Sequence, residues 1–313
     1  MVRIRRRYDA LVRIAFATTT ADVLKGEDVD RGLHDAAFAA AGVALDHCVW
    51  WDQDIAWQEY DLVVIRSPWD YVERLPEFRR WLHRVGALGN LRNPAPVVEW
   101  NLDKRYLRDV EAEGVPIVPT EFILSRAEFV QAMTSRDGEV VVKPAVSAGS
   151  RNTGRFASDD PHAVALAERI VAEGVAVMIQ PCVASVETSG ETSVVFFNGV
   201  MSHAFRKGAI LASGGGYLGG DYTEDIGPAV LTDQQEQVAH QAVDILARIT
   251  RRRFGIHSPL LYGRVDLVTL DDGGVVVLET ELAEPSFFLA VDSEAPSRFL
   301  AAVEEHVVMA TRE

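Results

Sequence analysis

The sequence has few of the features that mark secreted, disulfide-bonded or membrane-spanning proteins. Its 313 residues include only two cysteines, Cys48 and Cys182, so we exclude a disulfide framework and a cysteine-based metal site. No apolar run approaches the ~18 residues that cross a membrane. The basic start, residues 3–7, is not followed by the apolar stretch of a signal peptide. We therefore expect a soluble cytoplasmic protein with no membrane partner.

Positive charge is also scarce, because the formal net charge is −15. Nucleic-acid-binding proteins need a basic surface, so we expect no nucleic-acid partner. An anionic small molecule must then be held by individually placed lysines and arginines. What the sequence does contain is a hydrophobic content of 48%, which supports a full core, and a length sufficient for two domains.

The first third of the chain alternates between predicted strands and a helix. Residues 11–18, 43–49 and 62–66 form apolar runs typical of buried strands, and residues 29–41 have helical periodicity. This alternation predicts a mostly parallel sheet. The turn-rich residues 86–96 then indicate a domain boundary.

Residues 66–71 follow the third predicted strand, and ligands of parallel sheets bind beyond the carboxyl ends of the strands. Arg66 has a guanidinium group that matches a carboxylate, and the rings of Trp69 and Tyr71 suit a small-molecule pocket. These three residues are therefore candidates for substrate binding. Alternatively, Trp69 packs on the next helix and Arg66 pairs with Asp70.

Lys143 ends a short apolar run and precedes residues 145–155, which are rich in glycine, serine and threonine. A lysine at the end of a buried strand needs an anionic partner, and backbone N–H groups in such a loop can bind phosphate. The segment matches neither the Walker A pattern nor the G-x-G-x-x-G pattern. The sequence predicts a phosphate-binding loop here, with an ordinary surface hairpin as the alternative.

A second lysine, Lys104, lies near a predicted helix start. Asn101 is a good N-cap for a helix that begins at Leu102. A cation in the first turn of a helix is disfavoured by the helix dipole, so a nearby anionic ligand would explain Lys104. The alternative is an exposed lysine.

A hairpin and a glycine-rich stretch follow in the middle of the chain. Asn198 and Gly199 predict a type I′ turn between two strands, and Arg206 and Lys207 lie at the end of the second strand. Residues 214–220 then include five glycines. We expect a mobile loop that becomes ordered over a ligand, rather than a flexible linker.

A further hairpin is predicted in residues 262–286, with Asp272 and Gly273 as a two-residue turn. This register places four charged side chains on one face as two opposed pairs: Asp266 with Glu279, and Arg264 with Glu281. Apolar side chains occupy the other face, which we expect to point at a core: Val265, Leu267, Leu278 and Leu282.

Opposed carboxylates repel each other, so Asp266, Glu279 and Glu281 require a cation between them. Oxygen ligands without a nearby histidine or cysteine favour Mg²⁺ or Mn²⁺ over Zn²⁺. Bound Mg²⁺ commonly completes its coordination with water and substrate phosphates. The alternative is a solvated charged face on which Arg264 simply pairs with Glu281.

The order of these parts resembles the ATP-grasp superfamily of carboxylate ligases over essentially the whole chain. The matching parts are Lys104, VVVKP with the loop SAGSRNTG, VMIQP, GETSVVFFNGVMSHAFRK, and YGRVDLV with VVLETEL. The resemblance implies an α/β + α+β protein, in which an N-terminal Rossmann-like (pre-ATP-grasp) domain precedes two α+β subdomains that clasp ATP. The implied boundaries are 1–97 for the N-terminal domain and 98–313 for the ATP-grasp region, with a lid subdomain at about 115–180 and a metal-binding subdomain at about 181–313.

The resemblance also implies roles for individual residues. The ATP-binding set is Lys104, Lys143, Ser147, Gly149, Ser150, Gly154, Gln180, Val183 and Glu187, where Glu187 would suit the ribose. The metal ligands for Mg²⁺ (or Mn²⁺) are Asp266, Glu279 and Glu281, and the residues that stabilise the transferred phosphoryl group are Arg264 with Arg206 or Lys207. The family usually has Glu-x-Asn where this chain has Glu-Thr-Glu at 279–281. This extra negative charge leaves the number of metal ions open.

Residues 66–71 and 279–286 resemble a narrower subgroup that includes glutathione-synthetase-like ligases and the O-ureido-serine cyclo-ligase of cycloserine biosynthesis. Glu284 and Ser286 are thus further candidates for substrate binding. The implied reaction converts a small-molecule carboxylate into an acyl phosphate and then forms a C–N bond, with release of ADP and phosphate. The bond can close a ring or join two molecules, as in an amino-acid or peptide ligase of antibiotic biosynthesis. A small-molecule kinase and a non-catalytic nucleotide-binding module are competing hypotheses, and the family permits a homodimer.

Overall fold

The computed structural model describes residues 12–24, 26, 28–149, 151–209, 211, 216–218 and 225–310. The strands within these ranges are β1 (Arg13–Thr18), β2 (Ala44–Val49), β3 (Leu62–Ser67), β4 (Leu91–Arg92), β5 (Glu121–Ile123), β6 (Glu139–Pro144), β7 (Thr153–Ala157), β8 (Val177–Pro181), β9 (Glu191–Phe197), β10 (Val200–Lys207), β11 (Gly216–Leu218), β12 (Ile226–Pro228), β13 (Tyr262–Thr269) and β14 (Val275–Glu281). The helices are α1 (Ala21–Leu24), α2 (Arg31–Ala41), α3 (Leu75–Gly86), α4 (Ala95–Asn101), α5 (Tyr106–Ala112), α6 (Arg126–Thr134), α7 (Pro161–Ala172), α8 (Ser185–Ser189), α9 (Asp233–Phe254) and α10 (Ala295–Ala310).

The first sheet has the order β2-β1-β3-β4, and its strands are parallel, as predicted from the alternation of strands and helix. Every residue of β3 is buried, which explains its continuous apolar run. Helix α2 ends at Gly42, whose φ of 72° allows its N–H to bond the last turn of the helix. The carboxyl ends of β1 and β3 consequently lie together at one edge of the sheet.

The second sheet has the order β11-β7-β6-β8-β5 and is antiparallel. Helices α6 and α7 cover one face, where Phe129, Leu166 and Ile170 pack against Val140 and Val142. The opposite face is open to the centre of the molecule. This arrangement follows from the burial pattern of β6, in which buried and partly buried residues alternate.

The third sheet has the order β12-β10-β9-β13-β14. Helix α9 begins with a capping box between Thr232 and Gln235 and packs its apolar side on one face of the sheet. The other face packs at one end against the first sheet and α10, through residues such as Phe197 and Phe205. Its remaining part carries charged side chains. None of the helices in the described part of the chain is long and apolar enough to cross a membrane.

The hairpin of β13 and β14 has the predicted pairs Asp266 with Glu279 and Arg264 with Glu281. Its turn is nevertheless different from the prediction, because three residues, 271–273, separate the closing pair and Gly273 adopts a φ of 86°. The longer turn shifts the register by one residue, and a bulge at Leu278 shifts it back. As a result, Leu278 lines the central cavity instead of the core predicted for it.

Lys104 is not in the first turn of a helix, which corrects a second prediction. Helix α4 ends at Asn101 and α5 begins at Tyr106, so Lys104 lies in the connection between them. The side chain of Asn101 does not cap a helix but hydrogen-bonds the backbone of β14 and the residue after it, at Thr280 O and Leu282 N. Lys104 is positioned by its own backbone N–H, which donates to Ala145 O at 2.8 Å.

Candidate active site

The three sheets surround one cavity of about 1980 Å³. A drug-sized ligand typically occupies a pocket of ~300–1,000 Å³, so this cavity has room for a nucleotide and a second small molecule. Its walls combine the open face of the second sheet, the charged face of the third sheet and the carboxyl-end edge of the first sheet. Most of the sequence-predicted residues therefore line one cavity although they come from distant segments.

The charged centre of the cavity is a cluster of three carboxylates, from Asp266, Glu279 and Glu281, whose ligand atoms lie within 4.8 Å of one another. Asp266 is fully buried and accepts hydrogen bonds from Ser193 Oγ at 2.6 Å and Lys207 Nζ at 3.0 Å. Both oxygens of Asp266 also accept hydrogen bonds at 2.9 Å from the guanidinium of Arg264 in the same strand. Strand alternation places these side chains on the same face.

The electrostatic environment differs among the three carboxylates. Burial alone would raise the pKa of Glu279, but the positive charges of Lys104 and Lys143 lower it to about 2. Asp266 behaves similarly, since burial is outweighed by Arg264 and its pKa is lowered. Burial raises the pKa of Glu281 to about 8; the positive charge of Arg264 opposes this rise, and the neighbouring carboxylates of Glu279 and Asp266 add to it. A divalent cation would relieve this repulsion.

The cluster fits a hard divalent cation such as Mg²⁺. All its donors are carboxylate oxygens, which is the ligand type that Mg²⁺ prefers. Glu279 Oε2 is buried and has no hydrogen-bond partner among the described residues, although Lys104 Nζ lies 3.5 Å away. Such a buried carboxylate oxygen is costly unless an additional cation or solvent reaches it.

The lysines approach the cluster from three directions. Lys104 Nζ donates to Ser147 O at 3.2 Å, and Lys207 Nζ lies 3.1 Å from a Glu191 carboxylate oxygen. Lys143 lines the cavity and forms no hydrogen bond or close ion pair within the part of the chain that the structure describes. Burial lowers the pKa of Lys143. A buried lysine of this kind is stabilised by an anionic ligand.

One end of the cavity is an apolar slot. Its walls are aliphatic side chains from the third sheet, from the segment before β5, from the connection after β8 and from α8: Val118, Val183, Val186, Val268 and Leu278. Gln180 also lines the cavity, and its amide donates to Thr120 Oγ1 at 2.9 Å. Glu187 lies at the rim and forms an ion pair with Arg155. A flat aromatic ring would fit between these walls.

The predicted phosphate loop is only partly at the cavity wall. Ser147 and Gly149 line the cavity, and Ser150 lies outside the described residues. Gly154 does not line it, which corrects the prediction, because β7 alternates and turns Thr153 and Arg155 toward the cavity instead. Most of the predicted glycine-rich loop at 213–221 also lies outside the described residues. Within this loop only residues 216–218 are described, and they form β11.

The other end of the cavity is formed by Trp69 and Tyr71 after β3 and by Glu284 and Ser286 after β14. The Tyr71 hydroxyl interacts electrostatically with the Glu284 carboxylate. Burial raises the pKa of Glu284, and the interaction with Tyr71 opposes this effect. Trp69 Nε1 donates to Glu284 O at 3.3 Å. Four of the five predicted substrate-binding residues thus lie together.

Arg66, the fifth, lies behind the cavity wall and corrects the prediction of a direct substrate contact. It is 3% exposed, donates to Pro285 O at 3.1 Å, and lies 3.7 Å from the centre of the Phe287 ring. The predicted role of Arg206 is corrected in the same way. Side chains alternate along β10, so Arg206 points away from the carboxylate cluster that Lys207 contacts. Arg206 pairs with Asp225 at 2.8 Å outside the cavity.

Two residues that position the cluster, Tyr106 and Asn101, were not predicted from the sequence to do so. Thr280, between Glu279 and Glu281, donates its N–H to Tyr106 Oη at 2.6 Å, and its carbonyl accepts from Tyr106 Oη at 2.7 Å and from Asn101 Nδ2 at 2.9 Å. These contacts span more than 170 residues of chain. No local pattern in the sequence indicates them, since tyrosine and asparagine are common in helical segments.

The chain is similar in sequence and fold to known proteins. Residues 14–93 match the family described as "D-cycloserine synthetase DcsG, N-terminal domain". The chain is 37% identical over 279 residues to the cycloserine biosynthesis protein DcsG of Streptomyces lavendulae, covering 87% of this chain and 91% of that protein. Among solved structures, D-cycloserine synthetase DcsG matches with a TM-score of 0.86 and 33% identity, over 94% of this chain and 99% of that one.

More distant structures have the same fold. D-alanine–D-alanine ligase from Bacillus anthracis, solved with ATP, matches with a TM-score of 0.67 and 12% identity over 96% of this chain and 99% of that one. The ATP-grasp ligase PsnB, solved with a minimal precursor, Mg and ADP, matches with a TM-score of 0.58 and 15% identity over 94% of this chain and 98% of that one. The fold predicted from the motifs is thus confirmed, and the chain belongs to the DcsG-like family of ATP-grasp ligases, which are ATP-dependent ligases.

Proposed function

We propose that this ligase activates the carboxylate of a small amino acid as an acyl phosphate and then closes a ring by forming a C–N bond within the same molecule. The inferred substrate is O-ureido-serine, because the chain is similar to D-cycloserine synthetase over most of its length. The observation that carries the proposal is a single cavity in which a carboxylate cluster and three lysines (Lys104, Lys143 and Lys207) lie between an apolar slot and a second polar pocket.

ATP would bind with its adenine in the apolar slot beside Gln180 and Val183 and with its ribose near Glu187. Its phosphates would lie against Lys104 and Lys143, under the loop that contains Ser147 and Gly149. The absence of a close partner for Lys143 within the described residues supports this assignment, since a phosphate supplies the missing negative charge. The role proposed for Ser150 rests on the family resemblance alone.

Asp266, Glu279 and Glu281 would hold Mg²⁺ or Mn²⁺. When bound, the ion would neutralise the negative charge that develops on the phosphate oxygens during transfer. Lys207 and Arg264 orient the Asp266 carboxylate through the hydrogen bonds that they donate to it. Glu281 replaces the amide usual in the family and forms an ion pair with Arg264, so it both orients that arginine and adds a third oxygen ligand.

The reaction itself requires positioning more than covalent help from the protein. A substrate carboxylate oxygen attacks the γ-phosphorus of ATP, the bond to the β,γ-bridging oxygen breaks, and ADP leaves with that electron pair. A nitrogen of the same substrate molecule then attacks the acyl carbon, the C–O bond to phosphate breaks, and the nitrogen loses a proton. Exclusion of water from the cavity protects the acyl phosphate from hydrolysis.

Trp69, Tyr71, Glu284 and Ser286 form the pocket where the amino acid would bind. A carboxylate such as Glu284 suits an ammonium group, and the neighbouring Tyr71 hydroxyl favours its charged form. The pocket adjoins the carboxylate cluster, because Glu281 and Glu284 are only three residues apart in the chain and interact electrostatically. The substrate carboxylate would therefore reach the transferring phosphoryl group.

The test is turnover of O-ureido-serine with ATP and Mg²⁺, followed by product mass and by release of ADP and phosphate. Ring closure gives a product one water lighter than its single substrate, or lighter still by the carbamoyl group if that group is also hydrolysed. A carboxylate labelled with oxygen-18 should transfer label into phosphate. A requirement for a second amine would instead indicate an intermolecular ligase, and a phosphorylated product without free phosphate a kinase. ATP binding without substrate-dependent ADP would leave a binding module.

A further inference from the structure

The 284–289 segment connects β14 to the last helix and contributes Glu284 and Ser286 to the cavity. It has little regular structure, yet side chains from elsewhere bind seven of its eleven backbone polar groups. The carbonyl oxygens of Glu284, Pro285 and Ser286 accept hydrogen bonds from Trp69, Arg66 and Arg264, respectively, at 3.3, 3.1 and 3.1 Å. The segment is thus held by side chains instead of by a strand ladder.

Asp30, which precedes α2 in the first sheet's layer, is the centre of this network. It is 2% exposed, and its two carboxylate oxygens accept the backbone N–H groups of Phe287 at 2.7 Å, Phe288 at 3.1 Å and Leu289 at 2.7 Å. Arg66 lies 3.7 Å from the same carboxylate and balances its charge. Charge-assisted bonds of this kind are stronger than bonds between neutral groups.

The third sheet supplies a further contact from the opposite side. His203 of β10 is bound through Nε2 to Phe287 O at 2.7 Å and through Nδ1 to Ser202 Oγ at 2.9 Å. Burial lowers the pKa of His203, so the neutral ring is favoured and its Nε2–H donates to the carbonyl. Phe287 is therefore fixed at its N–H, its carbonyl and its ring, which lies under Arg66.

The segment does not adopt this conformation by its own preference. Phe288 has φ 50° and ψ 51°, in the left-handed region that a bulky L residue rarely adopts. Such a residue persists only where its surroundings enforce it, and these sites commonly lie beside bound ligands. Asp30 is bonded to the N–H of this residue and of both its neighbours.

We propose that Asp30, with Arg66 and His203, is a positioning residue that sets the 284–289 segment, and hence Glu284 and Ser286, at the distance from the carboxylate cluster that ligation requires. Arg264 links the two parts directly, since it donates both to Ser286 O and to Asp266. This inference rests on the proposed function, because it assigns the segment to the amino-acid substrate. A substrate misplaced by about 1 Å can lose roughly 100-fold in rate.

The test compares Asp30→Asn with Asp35→Asn, a matched control on the exposed side of α2, where Asp35 contacts only His47 among the described residues. Asp30→Asn should lower the carboxylate-dependent kcat/KM by about 10- to 100-fold, while ATP affinity and the far-ultraviolet circular dichroism stay at the wild-type level. Asp35→Asn should leave all three at that level. Equal kcat/KM for the two variants, or a parallel loss of ATP affinity in Asp30→Asn, would overturn the inference.

A second pair of variants distinguishes positioning from general destabilisation. His203→Gln keeps a donor for Phe287 O, whereas His203→Leu removes it. The Gln variant should retain more carboxylate-dependent kcat/KM than the Leu variant at a temperature where both are folded, and an equal loss in both would contradict the proposal. The assays use O-ureido-serine or, if wild type does not turn it over, whichever amino acid gives ATP-dependent phosphate release. If wild type does not turn over O-ureido-serine, the proposed substrate is wrong, but the role of Asp30 can still be tested with the other amino acid.

Discussion

The two ends of the cavity are built in different ways. The end proposed for the nucleotide takes its central side chains from the strands β6, β8, β13 and β14, whose alternation decides which residues face the cavity, and others, such as Lys104 and Ser147, from the connections between elements. The amino-acid end takes Glu284 and Ser286 from an irregular segment held by side chains from distant parts of the chain. The proposed phosphate site thus lies largely on sheet strands, whereas the proposed site of the second substrate depends on a segment whose shape is set by long-range hydrogen bonds.

The largest effect is expected at the carboxylate cluster. Glu279→Gln should lower turnover by at least about 100-fold, because loss of an indirect metal contact already costs ~10- to 100-fold and Glu279 is proposed as a direct ligand. The fold should survive, since Glu279 Oε2 makes no hydrogen bond within the described residues. Substrate-dependent phosphate release across a Mg²⁺ titration measures the effect. Wild-type turnover would refute the metal assignment.

Lys143→Ala should next weaken ATP binding, which tests the nucleotide end alone. A hydrogen bond to a charged group contributes about 1.5–3 kcal/mol, so the Kd for ATP should rise roughly 10- to 150-fold. Calorimetric titration with a non-hydrolysable ATP analogue gives this number, and Lys143→Arg serves as the control that keeps the charge. An unchanged Kd for the Ala variant would remove Lys143 from the phosphate site.

Tyr71→Phe tests the amino-acid end with a smaller change. The variant removes the hydroxyl that interacts with the Glu284 carboxylate but keeps the ring, so a loss of about 1 kcal/mol, or roughly fivefold in kcat/KM for the amino acid, is expected. The Kd for ATP should not change, because the hydroxyl lies at the other end of the cavity. An effect on ATP equal to that on the amino acid would show that the two ends are not separable in this way.

The smallest effect is a pH dependence of stability at the amino-acid end. Burial lowers the pKa of His203 in the folded state, so the unfolded state binds more protons once the pH falls through about 6.5. Wild type should therefore lose stability on acidification relative to His203→Gln, by at most about 1.4 kcal/mol per pH unit. Urea unfolding of both proteins at several pH values measures this difference. Parallel pH profiles would mean that His203 is not held neutral.

Much of the nucleotide end could be predicted from the sequence because its signals are local. The pairing of Asp266 with Glu279 followed from a turn signal and strand alternation, although the turn was one residue longer than predicted and the bulge at Leu278 restored the register. The same alternation, if applied to β10 and β7, would have separated Lys207 from Arg206 and excluded Gly154. Both predictions were wrong because they assumed that all residues of a strand end or a loop face the same side.

For the end of the cavity proposed for the amino acid, the sequence predicted most of the lining residues but not all of their roles. Trp69, Tyr71, Glu284 and Ser286 do line the cavity, whereas Arg66 lies behind it on the Phe287 ring. Arg66 at a strand end has the same sequence signature whether it contacts a ligand or a backbone carbonyl. Only the fold of residues more than 200 positions away decides between these outcomes.

Local patterns in the sequence thus predicted the order of the main strands and helices, the family, the charged face of the β13–β14 hairpin and the lysines near that face. These features depend on periodicity and turn chemistry within short stretches, where neighbouring residues set the conformation. The tertiary structure alone decided that Asp30 binds the 284–289 segment, that Tyr106 and Asn101 fix the backbone between Glu279 and Glu281, and that Lys104 lies in a turn. These contacts join residues far apart in the chain. The conformational preferences of neighbouring residues therefore do not indicate which buried polar groups will form hydrogen bonds with each other.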